Sequence, residues 1–289
     1  MKTKVLITGA NGFIGSHLVE YLSRHDYEIS CLIRKTSNLQ WLEKSSVEFI
    51  TGEITDKTSL VHAVTEKDYI FHLASLTKAI SPVDYYRVNT EGAKNLLQAC
   101  AMHNPALKRF VLVSSQAAAG PSPSEKAIDE TFPPHPITDY GKSKWEAEKI
   151  AREYMEKIPI TIIRPPAVYG PRDRDVYVQF KMVKGGWLFC VGKGDPLVSL
   201  VFAPDLAEAM ARLAQCEKAA GETYFVCNPI PYRWSFLCNE IAKALGRKNI
   251  RSVRIPFFMG KLAAWFCEMG CSFTRKPALL NRQKILEIS

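Results

Sequence analysis

Short apolar runs alternate with stretches of helical spacing through the first half of this chain. The runs are Val5–Ile7, Ile29–Ile33, Val47–Ile50, Tyr69–Leu73, Phe110–Val113 and Ile160–Arg164. Between them, Ser16–Arg24 sets Leu18, Val19 and Leu22 on one side of a helix. Ser59–Val64 predicts a shorter helix, and Asn89–His103 and Tyr140–Lys157 predict two longer ones. A strand that is apolar at every position is covered on both faces. The alternation therefore predicts a parallel sheet with helices above and below it. That is an α/β, doubly wound, Rossmann-type architecture.

After Arg164 the texture changes. Pro165, Pro166, Gly170, Pro171, Gly185, Gly186, Gly192 and Gly194 interrupt the pattern, and helices are expected only near Asp205–Gln215 and Trp234–Leu245. Thr223–Cys227 reads as a strand that returns to the main sheet. The expected organisation is a dinucleotide-binding domain over 1–165 and a smaller C-terminal substrate lobe over 166–289, with segments near 200–228 returning to the first domain.

Composition narrows the class. Of 289 residues, 47% are hydrophobic and 23% charged, which excludes a disordered chain. The eight cysteines are scattered without a CxxC pair, so neither a metal site nor a disulfide framework is expected. Cys31 and Cys227 lie in apolar runs and read as buried small hydrophobes. The formal net charge of +9 suits a basic protein with a phosphorylated cofactor. No like-charge block or nucleic-acid motif accompanies it, so no nucleic-acid partner is expected. Met1 leads directly into the strand-like Lys2–Thr8, so the expected compartment is the cytoplasm.

Thr8-Gly9-Ala10-Asn11-Gly12-Phe13-Ile14-Gly15 lies between the first strand and the first helix. Gly9 allows the tight turn, Gly12 lets backbone approach a pyrophosphate, and Gly15 lets helix and strand pack closely. The helix amino terminus then presents N–H groups to phosphate. Tyr140 and Lys144 are four apart, hence on one helical face. A phenol titrates near ~10, and a neighbouring ammonium favours its ionised form. Tyr140 can then exchange a proton with a substrate hydroxyl or carbonyl.

These motifs resemble the extended short-chain dehydrogenase/reductase family, also called the NAD-dependent epimerase/dehydratase family. Gly52-Glu53-Ile54 resembles its Gly-Asp-(Leu/Ile), His72-Leu73-Ala74 the strand lining the cofactor, and Asn89 to Leu97 its Asn-x-x-Gly-x-x-Asn-Leu-Leu helix. Arg164-Pro165-Pro166-Ala167-Val168-Tyr169-Gly170-Pro171 resembles the loop beside the nicotinamide. The resemblance implies a catalytic Ser115, Tyr140 and Lys144. It implies cofactor contacts from Gly9, Asn11, Gly12, Phe13, Ile14, Gly15, Arg34, Lys35, Glu53, Ile54, Leu73, Ala74, Asn89, Tyr140, Lys144, Pro166 and Val168. No metal is implied. A homodimer through the helices Asn89–His103 and Tyr140–Lys157 is expected.

The second strand ends in Arg34-Lys35-Thr36-Ser37 with no acid, so NADP(H) is favoured over NAD(H). Family members that act on nucleotide sugars carry an arginine where this chain has Val198; Arg172, Arg174 and Lys193 are the candidate replacements. The lobe is rich in Phe180, Met182, Trp187, Leu188, Phe189, Phe257, Phe258, Met259, Trp265 and Phe266, most of them expected in the core. The expected activity is therefore hydride transfer to or from an apolar, non-nucleotide hydroxyl or ketone, in the dihydroflavonol-reductase or 3β-hydroxysteroid-dehydrogenase branch. The alternatives are a nucleotide-sugar epimerase or dehydratase, and a non-catalytic dinucleotide sensor. Ile255–Phe273, broken by Lys261 and Glu268, does not read as a membrane span. Contact with a membrane surface, with Lys261, Arg275 and Lys276 nearby, is the lesser reading of that segment. Members of the family run some tens of residues beyond the position of Ser289, which leaves open whether part of the lobe lies further on.

Overall fold

The computed structural model describes residues 2–192, 194–247 and 250–274. The apolar runs become strands of one sheet: β1 (Thr3–Thr8), β2 (Tyr27–Ile33), β3 (Glu48–Thr51), β4 (Tyr69–His72), β5 (Arg109–Val113) and β6 (Ile160–Arg164). The spatial order is β3-β2-β1-β4-β5-β6, with β11 (Thr223–Phe225) at the far edge beside β6, and every pairing is parallel. Alternate residues of each strand face opposite sides. Val5 and Ile7 join Leu18, Val19 and Leu22 of helix α1 (Phe13–Ser23). Leu6 joins the other side, with Leu60 of α2 (Lys57–Val64) and Leu96 and Leu97 of α4 (Gly92–His103). Strand order reverses direction between β1 and β4, and ligands of such sheets bind in the crevice at that switch point.

The helix expected at Asn89 begins earlier. A short α3 (Pro82–Tyr85) runs into a π-helical turn over Tyr86–Glu91 and then into α4. Such widened turns cluster at functional sites, and this one carries Asn89. After β5 come the short α5 (Gln116–Ala119) and the long α6 (Asp139–Glu153), capped by the Thr138 side chain.

Beyond β6, the chain forms small strand pairs: β7 (Ala167–Tyr169) with β10 (Leu200–Phe202), β8 (Trp187–Val191) with β13 (Arg251–Ile255), and β9 (Leu197–Val198) with β12 (Tyr232–Arg233). Helix α8 (Ala203–Gln215) packs Leu206, Ala207 and Met210 into the same core as α1. Helices α7 (Tyr177–Lys184) and α9 (Trp234–Ala244) close a separate small core of Val183, Leu188, Cys190, Cys238 and Ala242. Helix α10 (Phe257–Thr274) follows β13.

Two expectations fail in this part. Cys227 is exposed, because β11 is an edge strand that ends at Phe225 before reaching it. Of the large apolar groups expected in the lobe core, Leu188 is buried, whereas Trp187, Phe189, Phe258, Met259, Trp265 and Phe266 are exposed. The lobe's layers are too thin to cover them. Among the described residues, no helix is long and apolar enough to cross a membrane.

Candidate active site

The carboxyl ends of β1, β2 and β4 surround an open cleft of about 570 Å³. It brings together Gly9, Asn11, Gly12, Arg34, Glu53, Ile54, Leu73 and Ala74, with Ser37, Leu76, Lys78 and Ala79 added. Gly9 has φ +72°, and a Cβ there would lie 2.7 Å from the Ala74 nitrogen. A Cβ on Gly15 would come within 2.2 Å of the Gly9 carbonyl. Both positions are closed to side chains by protein backbone. Gly12 meets protein only at 3.1 Å and faces the cleft, so its missing side chain leaves room for a ligand. Phe13, Ile14 and Gly15 form the first turn of α1 beside it. This cradle and a helix amino terminus at its edge fit the diphosphate of a dinucleotide. Arg34 and Lys35 are exposed; of the two, Arg34 lines the cleft, its backbone N–H donating to Ser37 Oγ at 3.0 Å.

The proton-transfer candidates sit beside this cleft, on β5, α5 and α6. Lys144 is buried, and its Nζ donates to the carbonyl of Val113, the last residue of β5, at 2.8 Å. Burial lowers its pKa from 10.5 to about 8, against the opposing pull of Glu148. One turn before it lies Tyr140, half-buried, its ring 6.0 Å from that of Tyr85. The Tyr85 hydroxyl accepts from the N–H of Ala79 in the cleft wall. The two serines after β5 separate clearly. Ser114 is buried and donates to Glu148 Oε1 at 2.5 Å. Ser115 is half-buried; its Oγ accepts from the N–H of Ala117, and its own O–H remains a donor.

Asn89 is buried away from the cleft. Its amide accepts from Leu76 N at 2.7 Å and donates to Leu76 O and Ser143 Oγ, each at 3.0 Å. It joins the cleft wall to the turn of α6 between Tyr140 and Lys144. Val168, on β7, packs against the core. At the turn before it, Gln116 N donates to the Pro165 carbonyl, and Pro166 follows.

Three features escaped the sequence reading. Glu148 is fully buried and receives Arg164 Nε at 3.0 Å and Nη2 at 2.7 Å. The Arg164 guanidinium lies between the rings of Trp145 and Phe225, at 5.9 and 5.6 Å. The signal was present, since Tyr140, Lys144, Glu148 and Arg152 recur every four residues. Gly141 also carries a packing role, for a Cβ there would lie 2.3 Å from the Ala117 carbonyl. His72 is buried against Thr8 Oγ1 at 2.7 Å, and burial, with the Lys144 charge, lowers its pKa to about 3.

Of the candidate replacements for the missing arginine, Arg172 is engaged by Ser16 at 3.1 Å and Glu20 at 2.9 Å on α1. Arg174 lies over the Trp41 ring at 6.0 Å, and Lys193 lies outside the described residues.

Comparison with known proteins places these features in context. The family model described as the NAD dependent epimerase/dehydratase family matches residues 5–227. The N-acetyl-alpha-D-glucosaminyl-diphospho-ditrans,octacis-undecaprenol 4-epimerase of Escherichia coli O157:H7 is 30% identical, over 99% of this chain and 85% of its own. The UDP-glucose 4-epimerase of Thermus thermophilus in complex with NAD superposes with a TM-score of 0.76 at 26% identity, covering 88% of this chain and 86% of that one. DesIV, a dTDP-glucose 4,6-dehydratase from Streptomyces venezuelae with NAD and TYD bound, has a TM-score of 0.76 at 25% identity, covering 87% and 84%. No single branch of the family is singled out. Two expectations are corrected. Both solved relatives hold NAD, against the favoured NADP(H); an exposed Arg34 is a solvated cation that does not exclude NAD. Both are named for nucleotide sugars, against the expected apolar, non-nucleotide substrate. The apolar residues behind that expectation lie largely on the surface.

Proposed function

The chain belongs to the NAD-dependent epimerase/dehydratase family, and from that membership we propose an epimerase that keeps its NAD and inverts a carbon of a diphosphate-linked sugar. The supporting observation is the grouping of Ser115, Tyr140 and Lys144 at the start of α5 and on α6, after β5, beside a cleft lined by Gly9 and Gly12. The 30% identity to a sugar 4-epimerase over 99% of the chain favours position 4.

NAD would be held by the Gly9 and Gly12 backbone and the amino terminus of α1, and would supply the reversible hydride chemistry that inverts the sugar carbon. Ser115 O–H donates to the reacting oxygen and orients it. Tyr140 accepts the hydroxyl proton as the carbonyl forms and gives it back as the carbonyl is reduced. The Lys144 cation holds Tyr140 ionised, and the Val113 carbonyl holds Lys144 in place. Glu148, paired with Arg164, holds Ser114 next to Ser115 and fixes α6 against the end of β5. A homodimer through α4 and α6, in the cytoplasm, belongs to the same reading.

The test is to extract dinucleotide from freshly purified protein, identify it by mass spectrometry, and incubate the protein with UDP-glucose and UDP-N-acetylglucosamine. The expected result is NAD that survives purification, and the 4-epimer by NMR without net change at the nicotinamide absorbance. A requirement for stoichiometric cofactor would overturn the reading.

A further inference from the structure

Helix α10 has its polarity reversed. Gly260 and Ala264 are buried, and Phe257 and Cys267 are half-buried, which marks the face turned to the protein. The outward positions carry Phe258, Met259, Lys261, Leu262, Ala263, Trp265 and Phe266. Phe258 is 70% exposed, Phe266 55% and Leu262 52%, so these are whole side chains in solvent and not edges. Single exposed apolar residues are ordinary, but five large ones within nine positions of one helix form a contiguous patch. Lys261, the one charge among these outward positions, folds its Nζ over the Phe257 ring at 4.6 Å.

Positive charge is concentrated in the same stretch of the sequence. Residues 247–289 contain nine Lys and Arg against two Glu, so this segment carries seven of the chain's nine net positive charges. Arg251 and Arg254 are exposed on β13, which leads through Pro256 directly into α10. The Arg251 guanidinium lies 5.8 Å over the exposed Trp187 ring. Arg275 and Lys276 lie outside the described residues and enter only as sequence. A second copy of this chain would bring an equally basic segment against this one, and a free nucleotide has no use for an apolar helix face. An anionic bilayer satisfies both properties: acyl chains cover the apolar side chains, while the flanking cations meet lipid phosphates.

We propose that the outward face of α10, with Arg251 and Arg254 beside it, seats this protein on an anionic membrane surface. The helix lies in the interface and does not span it. This adds a place of action to the reading above and is tested without substrate, so the failure of one leaves the other intact.

The test is co-sedimentation of the full chain with vesicles of phosphatidylcholine alone or mixed with phosphatidylglycerol. Binding is expected to be about tenfold or more stronger on the anionic vesicles and to weaken with salt. A Phe258→Ser, Leu262→Ser, Trp265→Ser variant should lose binding with an unchanged melting curve. An Arg251→Gln, Arg254→Gln variant should lose the preference for anionic lipid. Should the triple variant fail to fold, quenching of native tryptophan fluorescence by brominated lipid decides: quenching supports the proposal and its absence overturns it. Failure of the native chain to bind either vesicle overturns it, as does a triple variant that turns a dimer into a monomer in light scattering, since the face would then join two copies.

Discussion

Helices α6 and α10 invert each other. α6 reads as a polar helix, yet it buries Ser143, Lys144 and Glu148. α10 reads as an apolar helix, yet it turns Phe258, Leu262 and Phe266 outward. Both depart from the rule that apolar residues go inside and charged ones outside. In α6 the buried charges are matched: Lys144 by a carbonyl, Glu148 by Arg164 and a serine. Burying a charge is costly unless it is paired, so such a cluster next to a ligand cleft marks machinery. In α10 nothing among the described residues covers the hydrocarbon, which marks a surface made for contact. Departures from the polarity rule, of opposite sign, underlie both the proposed reactive helix and the proposed membrane face.

The largest effect that would sharpen this contrast comes from Tyr140→Phe. Loss of a positioned acid–base group should reduce turnover by roughly 10²–10⁴-fold. Dinucleotide should still co-purify, and a variant with unimpaired turnover would break the assignment of α6 as the reactive helix. Next is Glu148→Gln. It leaves the buried Arg164 poorly paired and should cost about 3–5 kcal/mol in chemical denaturation. It also removes the charge that raises the Lys144 pKa, so the alkaline limb of the rate should move to lower pH.

A smaller effect follows from pH alone. Lys144 titrates at about 8 in the folded chain and 10.5 in its absence. Above about 8 the cation beside Tyr140 is lost, so kcat/KM should fall. In that same window the unfolded chain holds a proton that the folded chain lacks, so this group's contribution to stability should rise with pH. His72 has its folded pKa lowered from 6.5 to about 3. Its contribution is present above pH 6.5 and should be lost as pH falls toward 3, which acid melts would reveal. The smallest expected effect is on α10: the serine variants there should shift folding stability by no more than about 0.5 kcal/mol, as for ordinary surface sites. A large loss would mean that the face packs against protein, and the contrast would dissolve.

Much of the candidate site rests on patterns local in the chain. Glycine spacing after β1 and the four-residue spacing of Tyr140 and Lys144 are local, and local backbone geometry carries them through folding. The choice of Ser115 over Ser114 rests on the resemblance; the fold adds that Ser114 is buried against Glu148 while Ser115 is half-buried. The π-helical turn at Tyr86–Glu91, which Asn89 and Thr90 tie to Ser143 of α6, was not legible, because it carries no residue signature. The ion pair of Glu148 and Arg164 joins two elements whose adjacency only the fold creates. Arg34 was read as favouring NADP(H), and the NAD-bound relatives correct that reading, because a cation at a strand end is compatible with either dinucleotide.

Periodicity and spacing determined the strands, the order of alternation and the residues able to do chemistry, since each depends on neighbours along the chain. Which charges are buried, which apolar groups are not, and what holds Lys144 near neutrality were decided only when distant segments met. Burial is a property of what lies on the other side of a residue, and the chain order does not contain it.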